Sequence, residues 1–551
     1  MRLALRGKMF QRTRKMILAI LGCWIFIADF GNAQTTECLS ITASGTTSND
    51  VSYHPSISAN GRWVAFQSYS SDLVPGDTNN TADIFVFDRT TNTIARVSLN
   101  SLGSEGNGES CRPSLSADGR YVAFHSLASN LAPGDTNGYY DVFLHDIQTG
   151  LTKRVSESSN GRQGNMNSEF PAISADGRYV AFASNATTLV SWDLDWKKDI
   201  FVHDCLLGIT EIVSLNSLGV PGFLNCYSPA ISADGRFIGF DSDSKNLVVG
   251  DPQIDSDVFV HDRLTGLTEC VSKSTQGEMG NSDSFDATFS ADGRFVAFES
   301  LASNLVVGDT NSWEDVFLHD RKTSTTERLS LSSQGTQADN FCVLPSLSAD
   351  ARFVTFESRA TNLIAGDTNG IRDIYLHDRL AGLTERISVN NNGIQGNALS
   401  AHAVLSADGR HVAFYSISDN FLLSDSNACE DVFVRDRGTG ADHNTVILSG
   451  PFLASVTSTF TVAWCAAPPS TNYQLAWSLS NSGMTYGGHA FDLGTPFTFV
   501  AQGLNASDGT GSFSSAAIPA RAVGQTVYFE LAGRDSFGSL YDSNVQTVTF
   551  Y

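Results

Sequence analysis

A chain of 551 residues that is 41% hydrophobic and only 17% charged has enough apolar content for more than one cored domain, which excludes a disordered chain. Its formal net charge is −23 and no basic stripe appears, so nucleic acid is excluded as a partner, because a phosphate backbone demands clustered Lys and Arg. An acidic chain is instead suited to divalent cations.

At the N-terminus, Arg2, Arg6, Lys8, Arg12, Arg14 and Lys15 precede an apolar run from Met16 to Ile27, which Asp29 ends, and Gly31 and Ala33 supply small residues at a cleavage site. This pattern predicts a secretory signal peptide over residues 1–33. An uncleaved anchor needs about 20 spanning residues, more than this run offers. Cleavage removes six bases and one acid, so the remaining chain is more acidic still. No later segment is long and apolar enough to cross a bilayer, so the product is expected to be secreted or periplasmic, or associated with the cell surface, without a membrane span. Eight cysteines follow, Cys38, Cys111, Cys205, Cys226, Cys270, Cys342, Cys429 and Cys465. They contain no C-x-x-C pair and read as separate core or loop residues rather than a disulfide framework or a zinc site.

From residue 58 the chain repeats. "SANGRWVAF" at Ser58 returns as "SADGRYVAF" at Ser116 and Ser174, "SADGRFIGF" at Ser232, "SADGRFVAF" at Ser290, "SADARFVTF" at Ser348 and "SADGRHVAF" at Ser406, each 58 residues after the last. Within a unit, a short segment (112–116) meets the Ala-Asp-Gly turn, followed by an alternating run (120–126), a long loop, a second alternating run (141–146), a turn at Gln148-Thr149-Gly150 and a last run (151–155). This predicts four strands in a meander. One small sheet with two apolar faces must be covered by its neighbours, so seven of them predict a seven-bladed β-propeller of 58-residue blades over residues 36–437. "ECLSITASGTTSNDVS", which precedes the first unit, aligns at the same offset with "ARVSLNSLGSEGNGES". The segment 38–42 is therefore expected to complete the seventh blade and lock the ring, in preference to the local segment 445–448.

"SADGRYVAF" followed by "DVFLHD" resembles the TolB-type, WD-like propeller repeat, whose units carry S-P-D-G-[RK]-x-I-A-F and then I-Y-V-x-D. The resemblance covers about residues 36–437 and lacks the N-terminal α/β domain that precedes the propeller in TolB. It implies a fold and a binding surface, not a Tol–Pal role.

Residues that recur in all units receive structural roles first. Arg62, Arg120, Arg178, Arg236, Arg294, Arg352 and Arg410 open the second strand, and Asp88, Asp146, Asp204, Asp262, Asp320, Asp378 and Asp436 end the third. These strands are antiparallel neighbours, so the two sets are expected to pair and seal the turns. Phe66, Phe124, Phe182, Phe240, Phe298, Phe356 and Phe414 are expected in the core between blades. His145, His203, His261, His319 and His377 share one blade position and cannot converge on a metal, so they are read as strand-end packing residues.

The two long connections of each unit, from second to third strand and from fourth strand to the next blade, emerge on one face, where function is expected. The first of them carries D-x-[N/D/Q]-x-x-x-D in every unit. Its members are Asp77, Asn79, Asp83; Asp135, Asn137, Asp141; Asp193, Asp195, Asp199; Asp251, Gln253, Asp257; Asp309, Asn311, Asp315; Asp367, Asn369, Asp373; and Asp425, Asn427, Asp431. Calcium takes hard oxygen ligands in this kind of alternation, so seven loops, each with two acids and no evident basic partner, are expected to bind calcium. Asn107, Asn165, Asn281 and Asn397 of the other connection are expected to contribute. The structural alternative is a set of Asx-turns with no ion.

No G-x-S-x-G elbow is present for a hydrolase. His54, His125, His402 and His411 are the residues on which a histidine-held metal lyase would depend, though they share no blade position. After Asp436 the repeat stops. A linker over residues 438–445 leads to "FTVAWCA", "YQLAWSL", "FTFVAQ", "TVYFELAG" and "QTVTFY", which predict a C-terminal β-sandwich over 446–551. Its Trp464, Trp477 and Tyr486 are candidates for a glycan platform, with core packing as the simpler fate. The expected product is an all-β, exported, monomeric and non-catalytic scaffold that binds a protein or a glycan on the open propeller face. The alternative is an extracellular polysaccharide-active lyase or hydrolase.

Overall fold

The computed structural model describes residues 34–438 apart from 252–254, 423, 424 and 426, together with the backbone of strands between Val446 and Thr549. Every described element is a β-strand. The expected signal peptide, residues 439–445 of the expected linker and Gln253 lie outside the described residues.

Seven four-stranded antiparallel sheets repeat at 58 residues. In the second blade the strands are Ser110–Leu115, Tyr121–Ser126, Asp141–Asp146 and Leu151–Arg154, close to the runs read from alternation. The seventh blade has Ser400–Leu405, His411–Ser416 and Asp431–Asp436, and its fourth strand is Thr35–Cys38 from the other end of the chain. The closing element is the expected one, placed three residues earlier than 38–42. Leu39 and Ser40 correspond to Val97 and Ser98, which follow their strand Thr93–Arg96 rather than belong to it. Val446–Ser449 pairs instead with Thr461–Trp464.

The core lies between blades. Phe66, Phe124, Phe182, Phe240, Phe298, Phe356 and Phe414 are all fully buried, and each stacks on an aromatic of the third strand at 5.9–6.0 Å between centroids. At one end of the ring the Ala-Asp-Gly turns join through backbone hydrogen bonds. The amide of Ala59 donates to Ala117, Ala117 to Ala175, and so on through Ala407, whose amide returns to Ala59 at 2.9 Å. The turn glycine is required twice over: Gly119 has φ +76°, and a Cβ there would lie 2.2 Å from the Trp63 ring of the preceding blade.

All seven Arg–Asp pairs form as expected, each with at least two hydrogen bonds; Arg62 Nε and Nη2 meet Asp88 at 2.8 and 2.7 Å. The Arg120 guanidinium holds the Asp146 carboxyl down to about 2. The five histidines pack at strand ends: His145 Nδ1 lies 2.9 Å from Thr152 Oγ1, and burial lowers the His203 pKa to about 4.

Beyond the propeller, all five C-terminal runs read from sequence contain strands. Val446–Ser449, Thr461–Trp464 and Gly511–Ser514 form one sheet, and Asn472–Ser478 pairs with Phe497–Leu504 and Thr526–Arg534 in another. The side chains of Trp464, Trp477 and Tyr486 and the residue Cys465 lie outside the described residues. The seven described cysteines are free.

Candidate functional site

The seven first strands surround an axial cavity of about 640 Å³, within the usual range of ligand sites. Each strand carries a β-bulge, and the same residue of each bulge has a left-handed backbone: His54 (φ 51°), Arg112 (52°), Phe170 (56°), Ser228 (46°), Asp286 (52°), Leu344 (53°) and His402 (53°). All seven line the cavity. In five blades the next residue is Pro, which has no N–H to give to the ladder and fits the bulge.

In five blades the amide freed by the bulge is taken up by the blade before it, Asp286 N giving to Asp241 among them. Arg112 N donates to Gln67 Oε1 at 3.2 Å, Phe170 N to His125 Nδ1 at 3.4 Å, Leu344 N to Glu299 Oε2 at 2.6 Å and His402 N to Glu357 Oε1. Left-handed backbone costs about 1–2 kcal/mol for a residue with a Cβ, and bulges of this kind re-aim side chains at binding sites. Everything around this position repeats from blade to blade. The seven side chains differ: two histidines, one arginine, one acid, one serine and two apolar residues.

The ring has two chemically distinct halves. On one side the His54 and His402 rings meet edge to face at 4.4 Å, with Tyr415 stacked on His402. Burial pulls the pKa of His54 down to about 2 and of His402 to about 4, so both are neutral near pH 7. His125 packs one blade away against Phe170, at 5.8 Å. His411 sits at the far end, against Gly61. The four histidines of the lyase alternative therefore do not converge. On the other side lie Asp241, Asp286 and Glu299, with Glu357 between the two sides, bonded to the amide of His402. Burial, then the charge of Asp286, pushes Asp241 up to about 7; burial, then Asp286, pushes Glu299 up to about 8.

The acidic loops lie on the open face, as expected, and have a structural account. Asn137 Oδ1 accepts the amide of Tyr139, closing an Asx-turn, while its Nδ2 reaches Asp141 Oδ2 at 3.0 Å and the carbonyl of Gly164 at 2.9 Å. Asp141 is fully buried and accepts Ser156 Oγ, which accepts the amide of Val142. The absence of a basic partner needs correction. The last residue of the fourth strand is Arg96, Arg154, Arg328 or Arg386 in four blades, and it points among the loop acids: Arg96 Nη1 is 3.3 Å from Asp77, 3.1 Å from Asp83 and 2.8 Å from Glu105, and Arg328 is 3.4 and 3.3 Å from Asp309 and Asp315. Arg386 lies 3.4 and 3.6 Å from Asp367 and Asp373, and burial raises the pKa of Asp135 and Asp141, an effect that the Arg154 charge partly offsets.

In the remaining three blades that position holds Ile212, Cys270 and Cys38. There burial pushes Asp199, Asp257 and Asp431 up to about 7, against about 6 for Asp141 and Asp373 beside their arginines. Among the described residues, the one group with metal-ligand spacing is Asp193, Asp195 and Asp199, with Lys197 Nζ 3.2 Å from Asp195. Asn107, Asn165, Asn281 and Asn397 do not join the acids. Their side chains bond Ser129, Thr187, Ser303 and Asp419 and clasp the neighbouring connection.

Sequence reading missed the channel ring and a second set of links between blades. The Arg that follows the sealing Asp in five blades bonds a Glu of the preceding blade: Arg263 to Glu211 and Arg321 to Glu269 at 2.7 Å, Arg437 to Glu385 at 2.7 Å, with Arg89–Glu37 and Arg379–Glu327 alike. Where the Arg is replaced, by Ile147 and Cys205, the partner position is Ala95 and Lys153. This paired loss was the available signal.

No protein-family model matches the chain, and no curated protein matches it. The repeat motif resembles the TolB type. Among solved structures, a TolB of Agrobacterium tumefaciens is similar over 64% of this chain and 97% of its own, at 16% identity and a TM-score of 0.36. The WD40 repeats of RRP9 are similar over 74% of this chain and 99% of theirs, at 8% identity and a TM-score of 0.40. The extracellular domain of a hybrid two-component system, BT4673 of B. thetaiotaomicron, is similar over 95% of this chain and 60% of its own, at 8% identity and a TM-score of 0.39. Among the described residues no helix is long and apolar enough to cross a membrane.

Proposed function

We propose that this chain is an exported, non-catalytic binding scaffold that receives a protein or glycan at the mouth of the axial channel. The observation that carries this reading is the ring from His54 to His402, where seven equivalent, left-handed positions hold differing side chains inside a frame that otherwise repeats. Strain of that kind is kept where a side chain must face a ligand. The face that carries the long connections also exposes Trp192, Trp196, Phe223 and Tyr227, aromatic surface of the kind that glycan and protein ligands use. The C-terminal strands are assigned to a β-sandwich that attaches or positions the propeller.

Calcium is part of the reading, now confined to the blades without the loop arginine. Asp193, Asp195 and Asp199 form the favoured site, and Asp425, Asn427 and Asp431 the next. In the four blades that carry Arg96, Arg154, Arg328 or Arg386, a guanidinium already supplies the positive charge that an ion would bring. A glycan array and a displayed peptide library, probed with the chain and with a Phe170→Gly, Ser228→Gly, Leu344→Gly variant, test the channel assignment. Binding by the chain that the variant loses supports it, and binding that ignores the variant opposes it. For calcium, a melting temperature unchanged between excess ion and excess chelator removes the ion from the account.

A further inference from the structure

The acidic half of the channel is more than a cluster of carboxylates, because it is built around a buried and unsatisfied oxygen. Asp241 is only 2% exposed; its carboxylate accepts from Ser228 and from the backbone of Asp286, and its Oδ1 is left without a partner. Next to it Ser228 and Asp286 line the cavity itself. Glu299 and Glu357, also buried, accept the amides of Leu344 and His402 from behind the ring. Asp286 is the hub, since its charge acts on Asp241, Glu299 and Glu357 alike.

Positive charge falls short. Arg372 is committed to Glu357 at 3.0 Å. Arg112 projects from the second blade, stacks 5.0 Å from the Phe170 ring and acts on Asp286 only through space, with no carboxylate within ion-pair distance among the described residues. The histidines opposite are neutral, as above. Asp286, on the wall of a cavity large enough for a ligand, thus has one distant guanidinium, and Asp241 and Glu299 behind it have no cation within ion-pair distance among the described residues, whereas buried charge demands a partner.

We propose that the channel takes a cationic group, an alkylammonium or guanidinium, which enters from the open face and is received by Asp286 with Asp241 and Glu299 around it. This inference rests on the channel assignment above and names the chemistry of its ligand. Asp241 faces Asp286 and Ser228, and Glu299 faces Asp286, Glu314 and Glu357, so a cation placed among them favours the ionised carboxylates and drives protons off near pH 7. No covalent step is involved.

Calorimetric titration of the full chain at pH 7.5 with cadaverine, with a lysine tripeptide blocked at both ends, and with 1,5-pentanediol as the uncharged analogue tests it. Two buffers of different ionisation enthalpy read proton release. The expected result is saturable binding of at least one amine with protons released, none of the diol, and at least a tenfold loss of affinity in Asp286→Asn and in Glu299→Gln, each with an unchanged circular dichroism spectrum. Cadaverine alone binding identifies a free amine as the source; the peptide alone identifies a side chain of a protein partner. No amine binding, equal binding of the diol, or amine binding unaffected in the Asp286→Asn, Glu299→Gln double variant overturns the inference. If ring-dependent ligands still emerge from the libraries in that case, the channel assignment stands and only the charge of its ligand is wrong.

Discussion

The two ends of the seven first strands differ in what they repeat. At the turn end, Ala59 to Ala407 close a ring of backbone hydrogen bonds, flanked by seven near-identical Arg–Asp pairs. A few residues back along the same strands, the bulged positions share a backbone and hold differing side chains. Identity within the chain marks the frame, and difference on a fixed backbone marks the surface that meets something else.

The comparison breaks first if the frame does not depend on closure. Deleting residues 34–41 removes the strand that pairs with Asp431–Asp436. The largest expected effect is loss of a single cooperative melting transition, and an unchanged melt contradicts the closure. Phe298→Ala, in the core between blades, is expected to cost about 3–5 kcal/mol in chemical denaturation.

Burial sharpens the frame further. Arg352 and Asp378 are 10% and 3% exposed, whereas Arg62 is 41% exposed. Arg352→Ala should therefore cost about 3–5 kcal/mol, as for a broken buried pair, and Arg62→Ala clearly less. Equal costs contradict this ranking.

Asp199, Asp257 and Asp431, raised to about 7, stabilise the fold most when protonated. That contribution is complete below the ordinary carboxylate range near pH 4 and is lost as pH rises through about 7. The melting temperature of the calcium-free chain should fall across that window, and calcium should restore it above pH 7. Ile212→Arg, which places in the third blade the residue that Arg96 supplies in the first, should reduce both effects. An undiminished response to calcium moves the ion elsewhere.

The smallest effect has the opposite sign. Leu344→Gly relieves a left-handed backbone and should leave stability unchanged or raise it by about 1 kcal/mol, because glycine adopts φ +53° freely. A loss above that amount shows that the leucine supports the frame.

The frame was legible because a fixed 58-residue spacing turns each residue type into a blade position. Arg62 and Asp88, and their six counterparts, could be paired from strand direction alone. The arginines beside the loop acids were overlooked because they stand outside the loop, on the fourth strand, where Arg96 pairs with Phe85, two residues along the same face from Asp83. The channel ring was invisible for a different reason. A bulge leaves no composition signal, and a position occupied by His, Arg, Phe, Ser, Asp, Leu and His looks like variation without consequence until the backbone shows that all seven point to one axis.

The central claim is that this ring binds a ligand. The most direct measurement is the comparison of the chain with its Phe170→Gly, Ser228→Gly, Leu344→Gly variant on a glycan array and a displayed peptide library, with both proteins shown to melt alike. The account predicts a ligand class bound by the chain and lost, by tenfold or more, in the variant. Binding retained by the variant, or no binding by the chain in either library, contradicts it.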